Sequence, residues 1–334
     1  MVHKTAGAHE IGAHIFCRNQ AATLIHCFIT KNNFGTVAAD VIVRIMLSRS
    51  QLKKGTMMKT NKANKVSFNA AKSKLLTTLV LAALAVPGVA MAADAAPAPA
   101  VTANVGWVSN YVFRGITQTV GKPAVQGGFD YAHSSGFYAG VWGSNVSWIT
   151  GSGATGDVSL ETDTYLGIRN SFATDFSYDV GLIRYNYLGS YTPPAGFVKA
   201  DTAEMYGSIG YKWISAKLSY ALGDFLTVPS ASGTTYLEVN ASYPVADSGV
   251  AVGAHYGKQK YKGTPADTLV AAGFDPSYSD YKLNVTKDFS GYLVGLAYSN
   301  TNAKSGGYYT YTSTSGQTKD WGKSAVALSV VHSF

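Results

Sequence analysis

This 334-residue chain has few residues with which to do covalent chemistry. After residue 92 there are three histidines, His133, His255 and His332, and no cysteine. A serine hydrolase needs a serine, a basic histidine and an orienting acid or amide on one face. His133 falls in a tight turn and His332 in the last strand, which leaves His255 as the candidate base. No Gly-x-Ser-x-Gly elbow accompanies it, and a hydrogen-bonded structural histidine is the simpler role. No histidine pair has metal-ligand spacing, and thiolate ligands are missing from this part of the chain. Glu161 and Asp163, two apart on one strand face, could hold a cation with further partners, but such a pair more often meets Arg or Lys. The sequence therefore predicts no cofactor, no metal and no catalytic residue.

What remains is a set of charges that alternate with apolar residues: Glu161, Asp163, Arg169, Glu204, Lys212, Lys217, Glu238, His255 and Lys282. Ala203, Met205, Ile209 and Tyr211 oppose Glu204, Tyr206, Ser208 and Lys212. Leu160, Leu166 and Ile168 oppose Glu161, Asp163, Tyr165 and Arg169. Leu237, Val239, Ala241 and Tyr243 oppose Glu238 and Asn240, and Val250, Val252, Ala254 and Tyr256 oppose Gly253, His255 and Gln259. A period of two places one set on each side of a strand. Lipid on one side and a polar lumen on the other would explain the contrast. In an open pore such lumenal charges set ion preference; in a narrow barrel they pair and plug it.

The elements that must carry these residues are twelve segments: 102–113, 124–132, 137–148, 160–171, 176–188, 202–211, 216–226, 234–243, 250–259, 280–287, 292–299 and 322–334. Five connections between them are tight and six are long, and the two kinds alternate along the chain. Periplasmic turns and external loops of a transmembrane antiparallel up-and-down β-barrel alternate in this way, and both ends then fall on the short-turn side. The final strand puts Val326, Leu328, Val330 and His332 on one face and stops at Phe334. Phe334, Val330 and Leu328 are the expected assembly signal, read by the barrel-assembly machinery. Trp148, Tyr211, Trp213, Tyr243, Tyr292 and Tyr298 lie near strand ends, as interfacial girdles require. One segment fits poorly: Arg184 and Asn186 share a parity with Val180 and Leu182. A bulge near Leu182 or Ile183 would restore the alternation.

The formal charge of +8 belongs to the leader. Residues 1–92 carry 12 of the 27 basic and 2 of the 19 acidic residues, leaving 15 and 17 over 93–334. Nucleic acid is therefore not an expected partner. Lys59, Lys62, Lys65, Lys72 and Lys74 precede the apolar stretch 75–86, then Pro87-Gly88 and Ala90-Met91-Ala92. Those are the parts of a cleaved signal peptide over 57–92, and the apolar run is well short of the ~20 residues of a spanning helix. Residues 1–56, upstream of Met57-Met58, read as a non-native upstream extension or disordered segment and hold both cysteines, Cys17 and Cys27. Residues 93–101 read as an Ala/Pro linker and 102–334 as the barrel.

The runs 104–119 (NVGWVSNYVFRGITQT), 123–131 (PAVQGGFDY) and 136–146 (GFYAGVWGSNV), with the later Glu161-Thr162-Asp163 and the Phe334 ending, resemble the TorF-like porin family, also called Gcw_chp. The resemblance covers most of 101–334. It implies an outer-membrane barrel of porin type and brings no catalytic residue with it. Within it, Arg114 could line the external mouth or pair in the lumen with Asp130 or Glu161. The favoured expectation is a strand-end arginine fixed by backbone carbonyls, with Gly115 allowing the turn. The expected function is a channel in the Gram-negative outer membrane that passes small solutes or ions through a narrow lumen. The alternatives are a non-conducting barrel that binds partners through loops such as 260–279 and 300–321, and, least favoured, a membrane-embedded hydrolase. Membrane lipids are expected partners. Lipopolysaccharide phosphates could meet Lys258, Lys260 and Lys262 beside Tyr256 and Tyr261.

Overall fold

The computed structural model describes residues 14–20, 24–30, 100–271, 273–304, 309–312 and 318–334. In the first of its two units, β1 (His14–Gln20) and β2 (Leu24–Thr30) form an antiparallel hairpin that sets Cys17 opposite Cys27. A hairpin there was not expected from a stretch without sustained period. The predicted signal peptide and residues 93–99 of the linker lie outside the described residues.

The second unit is a closed barrel. Its twelve strands are β3 (Val101–Val108), β6 (Ala124–Ala132), β7 (Phe137–Asn145), β8 (Thr155–Phe172), β9 (Phe176–Thr192) and β10 (Thr202–Tyr211), followed by β11 (Ile214–Ala221), β12 (Thr235–Val245), β13 (Val250–Lys260), β14 (Tyr278–Phe289), β15 (Tyr292–Thr301) and β18 (Ala325–Ser333). Each pairs antiparallel with its neighbours, and β18 closes on β3 with Ser329 opposite Val108 and Ser333 opposite Asn104. Closure leaves no free edge. Between the strands lie the short pairs β4 (Val112–Phe113) with β5 (Ile116–Thr117) and β16 (Thr310–Thr312) with β17 (Thr318–Asp320), and the helices α1 (Trp148–Gly151) and α2 (Thr264–Ala271). No described helix is long and apolar enough to cross a membrane. Both helices lie in long connections where no helical period is read, and α1 takes Trp148 from the end of the predicted third strand.

The outward face is a continuous apolar band. Phe129, Leu166, Val180, Met205, Leu237, Leu283, Leu296 and Val326 all stand exposed on it. So large an apolar surface is not kept in water by a monomeric soluble protein; facing hydrocarbon, it costs nothing. Aromatic rings bound the band at the tight-turn end: Phe176 packs on Tyr211 (4.8 Å), Trp213 on Tyr243 (5.8 Å) and Tyr292 on His332 (4.6 Å). Tyr281 and Tyr298 meet toward the other end. Trp148 is not part of a girdle; it is buried among Tyr187 and Trp321.

In β9 the expected bulge does not exist. Arg184 and Asn186 point outward with Val180 and Leu182, while Ile183, Tyr185 and Tyr187 are buried. The register shift lies on the partner strand, between Val158 and Leu160. Arg184 satisfies itself locally, donating through Nε to Asn186 (2.8 Å) and lying 3.9 Å from Asp201. It sits toward the end of the barrel where the long connections begin, a position where a cation can face an outward interface.

Tyrosine and glycine abundance has a packing cause inside the barrel. Tyr165 lies over Gly140, Tyr138 over Gly167 and Tyr206 over Gly181, each pair directly opposite across neighbouring strands. A Cβ on any of these glycines would meet the ring at 2.5–2.8 Å. At these three positions a large ring fits the lumen because the wall opposite has no side chain.

Candidate functional site

The first strand stops at Val108, short of the predicted Phe113, and the chain turns inward. Val112–Phe113 and Ile116–Thr117 form a hairpin whose two-residue loop is Arg114-Gly115, with φ of 46° and 77°. Positive φ at both central residues is what a tight hairpin of this hand requires. Gly115 is also sterically fixed: a Cβ there would lie 2.4 Å from Thr301 Cγ2 and 2.6 Å from Asp280 Cβ. The loop tip is therefore wedged against the inner wall of β14 and β15.

This hairpin delivers Arg114 to the lumen. Its Nη1 and Nη2 donate to the two carboxylate oxygens of Glu204 at 3.0 and 2.7 Å, and Nη1 also donates to Gln259 Oε1 at 3.2 Å. The guanidinium lies 4.3 Å from the Tyr236 ring centre and 4.8 Å from that of Phe113. Tyr185 donates to Glu204 (3.2 Å), and Tyr278 to the Arg114 carbonyl (2.9 Å). Both ions of the pair are buried, which is tolerable only because each is also hydrogen-bonded elsewhere. The carbonyl-fixed, strand-end Arg114 favoured by the sequence is thus corrected. The side chain pairs across the lumen, and its carboxylate is Glu204 rather than Asp130 or Glu161. Asp130 instead accepts from Tyr165 (2.6 Å), and Glu161 from Tyr111 (3.3 Å).

From Arg114 a polar network follows the inner wall. Tyr236 donates to Asp280 (2.9 Å), and His255 Nε2 lies 3.0 Å from Asp280 and 3.0 Å from the Tyr236 hydroxyl. His255 Nδ1 lies 2.7 Å from Asn240, whose amide donates to Glu238 (3.0 Å). Lys217 is 3.4 Å from Glu238 and 5.0 Å from the Tyr206 ring centre. Tyr206 is hydrogen-bonded to Tyr138, which donates to Asp179 (2.6 Å), and Arg169 lies over the Tyr138 ring at 4.6 Å. The ring nitrogens of His255 thus meet Asn240, Tyr236 and Asp280, and no serine is among these partners. Among the described residues, no group of three or more His, Cys, Asp or Glu could hold a metal ion. Glu161 Oε2 and Asp163 Oδ1 are buried without a hydrogen-bond partner.

Eight of the nine predicted lumenal residues lie on the inner wall. Glu161, Asp163, Arg169, Glu204, Lys217, Glu238, His255 and Lys282 are all there, with Lys282 beside His255 and Asp280 around a void of about 40 Å³. Lys212 is the exception. It sits in the tight turn after β10 with a φ of 51°, is half exposed and lies 3.7 Å from Asp175. Tyr211 and then Asp175 hold its ammonium above the ordinary lysine range. β10 ends at Tyr211, as the predicted segment 202–211 does, so strand parity does not extend to Lys212 and does not aim that side chain inward. Tyr185, Tyr236, Asp179 and Asp280 were missed; Tyr236 and Asp280 share the parity of Glu238 and Lys282 on their strands, whereas β9 had no predicted inward charge to mark the face of Asp179 and Tyr185.

Above Arg114 the void widens to about 540 Å³. Every long connection contributes to its wall, among them Ile116, Trp148, Phe197, Phe225, Phe274 and Trp321. The loops are tied to one another there. Ser147 and Trp148 donate to the Gln118 carbonyl, Val198 to that of Thr227, Thr117 to that of Trp321, and the Tyr309 hydroxyl to that of Pro276. The lumen is therefore an apolar cup closed below by an ion pair, with a small polar void beneath.

Similar folds occur among solved structures. The chain matches the KdgM porin, solved in complex with disordered oligogalacturonate, at 9% identity and a TM-score of 0.40, over 70% of this chain and 98% of that one. OprD from Pseudomonas aeruginosa matches at 15% and 0.32, over 70% and 65%. OccAB4 from Acinetobacter baumannii matches at 11% and 0.35, over 70% and 62%. No curated protein matches the chain. A family model described as a bacterial protein of unknown function (Gcw_chp) matches residues 92–334, and the chain belongs to that family.

Proposed function

We propose that this chain is an outer-membrane channel of porin type, matching its resemblance to TorF-like porins, and that small solutes or ions pass through a lumen narrowed by the Arg114 hairpin. The observation that carries this reading is the inner wall. A barrel that only filled its interior would do so with apolar side chains; this one lines it with hydrogen-bonded charges of both signs, at a desolvation cost that water in a pore removes. The hairpin is the narrowing element, because the void beneath it is about 40 Å³ against about 540 Å³ above. Acids on the wall (Asp130, Glu161, Asp163, Asp179, Glu238 and Asp280, beyond the neutralised Glu204) outnumber the bases Arg169, Lys217 and Lys282, which favours cations. Export by the 57–92 signal and insertion through the Phe334-terminated strand would place the barrel in the outer membrane. Lys258 and Lys260 point outward beside Tyr256 near the long-loop end of β13, where lipopolysaccharide phosphates would be bound.

Single-channel recording in a planar bilayer tests this. Small discrete openings are expected, with a reversal potential displaced toward the cation in a salt gradient. Folded barrels that stay silent would instead favour a non-conducting binder, the second reading, which the tightness of the Arg114–Glu204 closure supports.

A further inference from the structure

We propose that the cup above Arg114 is a binding site for a compact, uncharged aromatic solute. Its volume of about 540 Å³ falls within the ~300–1,000 Å³ range of small-molecule sites. Its walls are rings, with Phe113, Trp148, Phe197, Phe225, Tyr309 and Trp321 contributed by five different connections. Rings presented at several orientations recognise another aromatic ring by offset and edge contacts, and the release of poorly bonded water from such a cup favours apolar occupancy.

The floor rules out a charged ligand. Arg114 is the charged side chain on the lining, and both of its Nη atoms are already held by the Glu204 carboxylate. An anion would have to displace Glu204, and a cation would face the guanidinium. The other polar groups of the floor are also committed. Gln259 accepts from Arg114 and donates to the Thr235 carbonyl, and Gln118 donates to the Ile116 carbonyl. A polar solute would give up hydrogen bonds to water and recover few. Compactness follows from the closure below, since a void of about 40 Å³ admits no polymer.

The inference concerns binding and not conduction, so it stands or falls apart from the channel reading: a silent barrel can fill the cup, and a conducting one can leave it empty. The test is titration calorimetry of the protein in lipid nanodiscs with 1-naphthol, with the heat of empty nanodiscs subtracted and 1-naphthalenesulfonate as the charged comparison. Saturable binding near one naphthol per barrel is expected, at least tenfold tighter than that of the sulfonate. Phe197→Asp, in a loop, and Leu269→Asp, in α2, each placing a carboxylate on the apolar wall outside the barrel strands, are expected to weaken it at least tenfold while the barrel keeps its heat-modifiable migration. Uptake no greater than in empty nanodiscs, equal binding of the sulfonate, or unchanged affinity in both folded variants would overturn the proposal.

Discussion

Arg114 is held by two carboxylate oxygens, one amide and two ring faces, and the removal of its counter-charge separates its structural from its gating role. Glu204→Gln leaves a buried guanidinium without an anion, a loss of about 3–5 kcal/mol if the hairpin stays in place. A void of about 540 Å³ lies above the hairpin, so the expected outcome is its release: thermal unfolding of the barrel shifts down modestly and conductance rises. Gly115→Ala should produce the same conductance increase through sterics alone, because its Cβ would meet Thr301 at 2.4 Å. A recording indistinguishable from the unmodified protein would contradict the seating of the hairpin. The sequence showed that Arg114-Gly115 makes a turn, but not where that turn goes. Its partner Glu204 is 90 residues away, and only the closed barrel brings the two together.

Among the strands and loops, alternation carried most of the information. All twelve barrel strands and the two classes of connection were legible because lipid and lumen impose opposite demands at every second residue. Reading failed where another constraint prevailed. The first strand gave way early to the inward hairpin, and β9 kept Arg184 outward because Asn186 and Asp201 satisfy it. The helix over Thr264–Ala271 lies in a long loop where barrel periodicity says nothing. Two substitutions check the strand assignment. Leu283→Lys, in the middle of the apolar band of β14, should destabilise the inserted barrel by about 2–4 kcal/mol in a urea titration in lipid vesicles. The adjacent inward Asn284→Lys should cost much less, and equal costs would refute the face assignment. Phe334 is largely exposed, and its backbone N–H donates to the Ala103 carbonyl across the closing seam. Phe334→Ser is expected to lower the outer-membrane level without altering the fold of the molecules that insert; normal levels would count against a terminal assembly signal.

For the whole molecule, stability and function meet in the same interior. A barrel of ~8 strands fills with side chains, whereas one of ~16–18 leaves a water channel. Twelve strands leave a space that this chain partly occupies with tyrosines seated on glycines and partly closes with one hairpin. The lumenal charges are paired along most of the wall, so ion preference should be modest. If the Arg114 hairpin throttles a real pore, single-channel conductance of the protein and its Arg114→Ala variant, recorded side by side in planar bilayers, will differ. Small cation-favouring openings are expected for the unmodified protein and several-fold larger ones for the variant. Correctly folded barrels that stay silent in both forms would refute a pore narrowed by this hairpin.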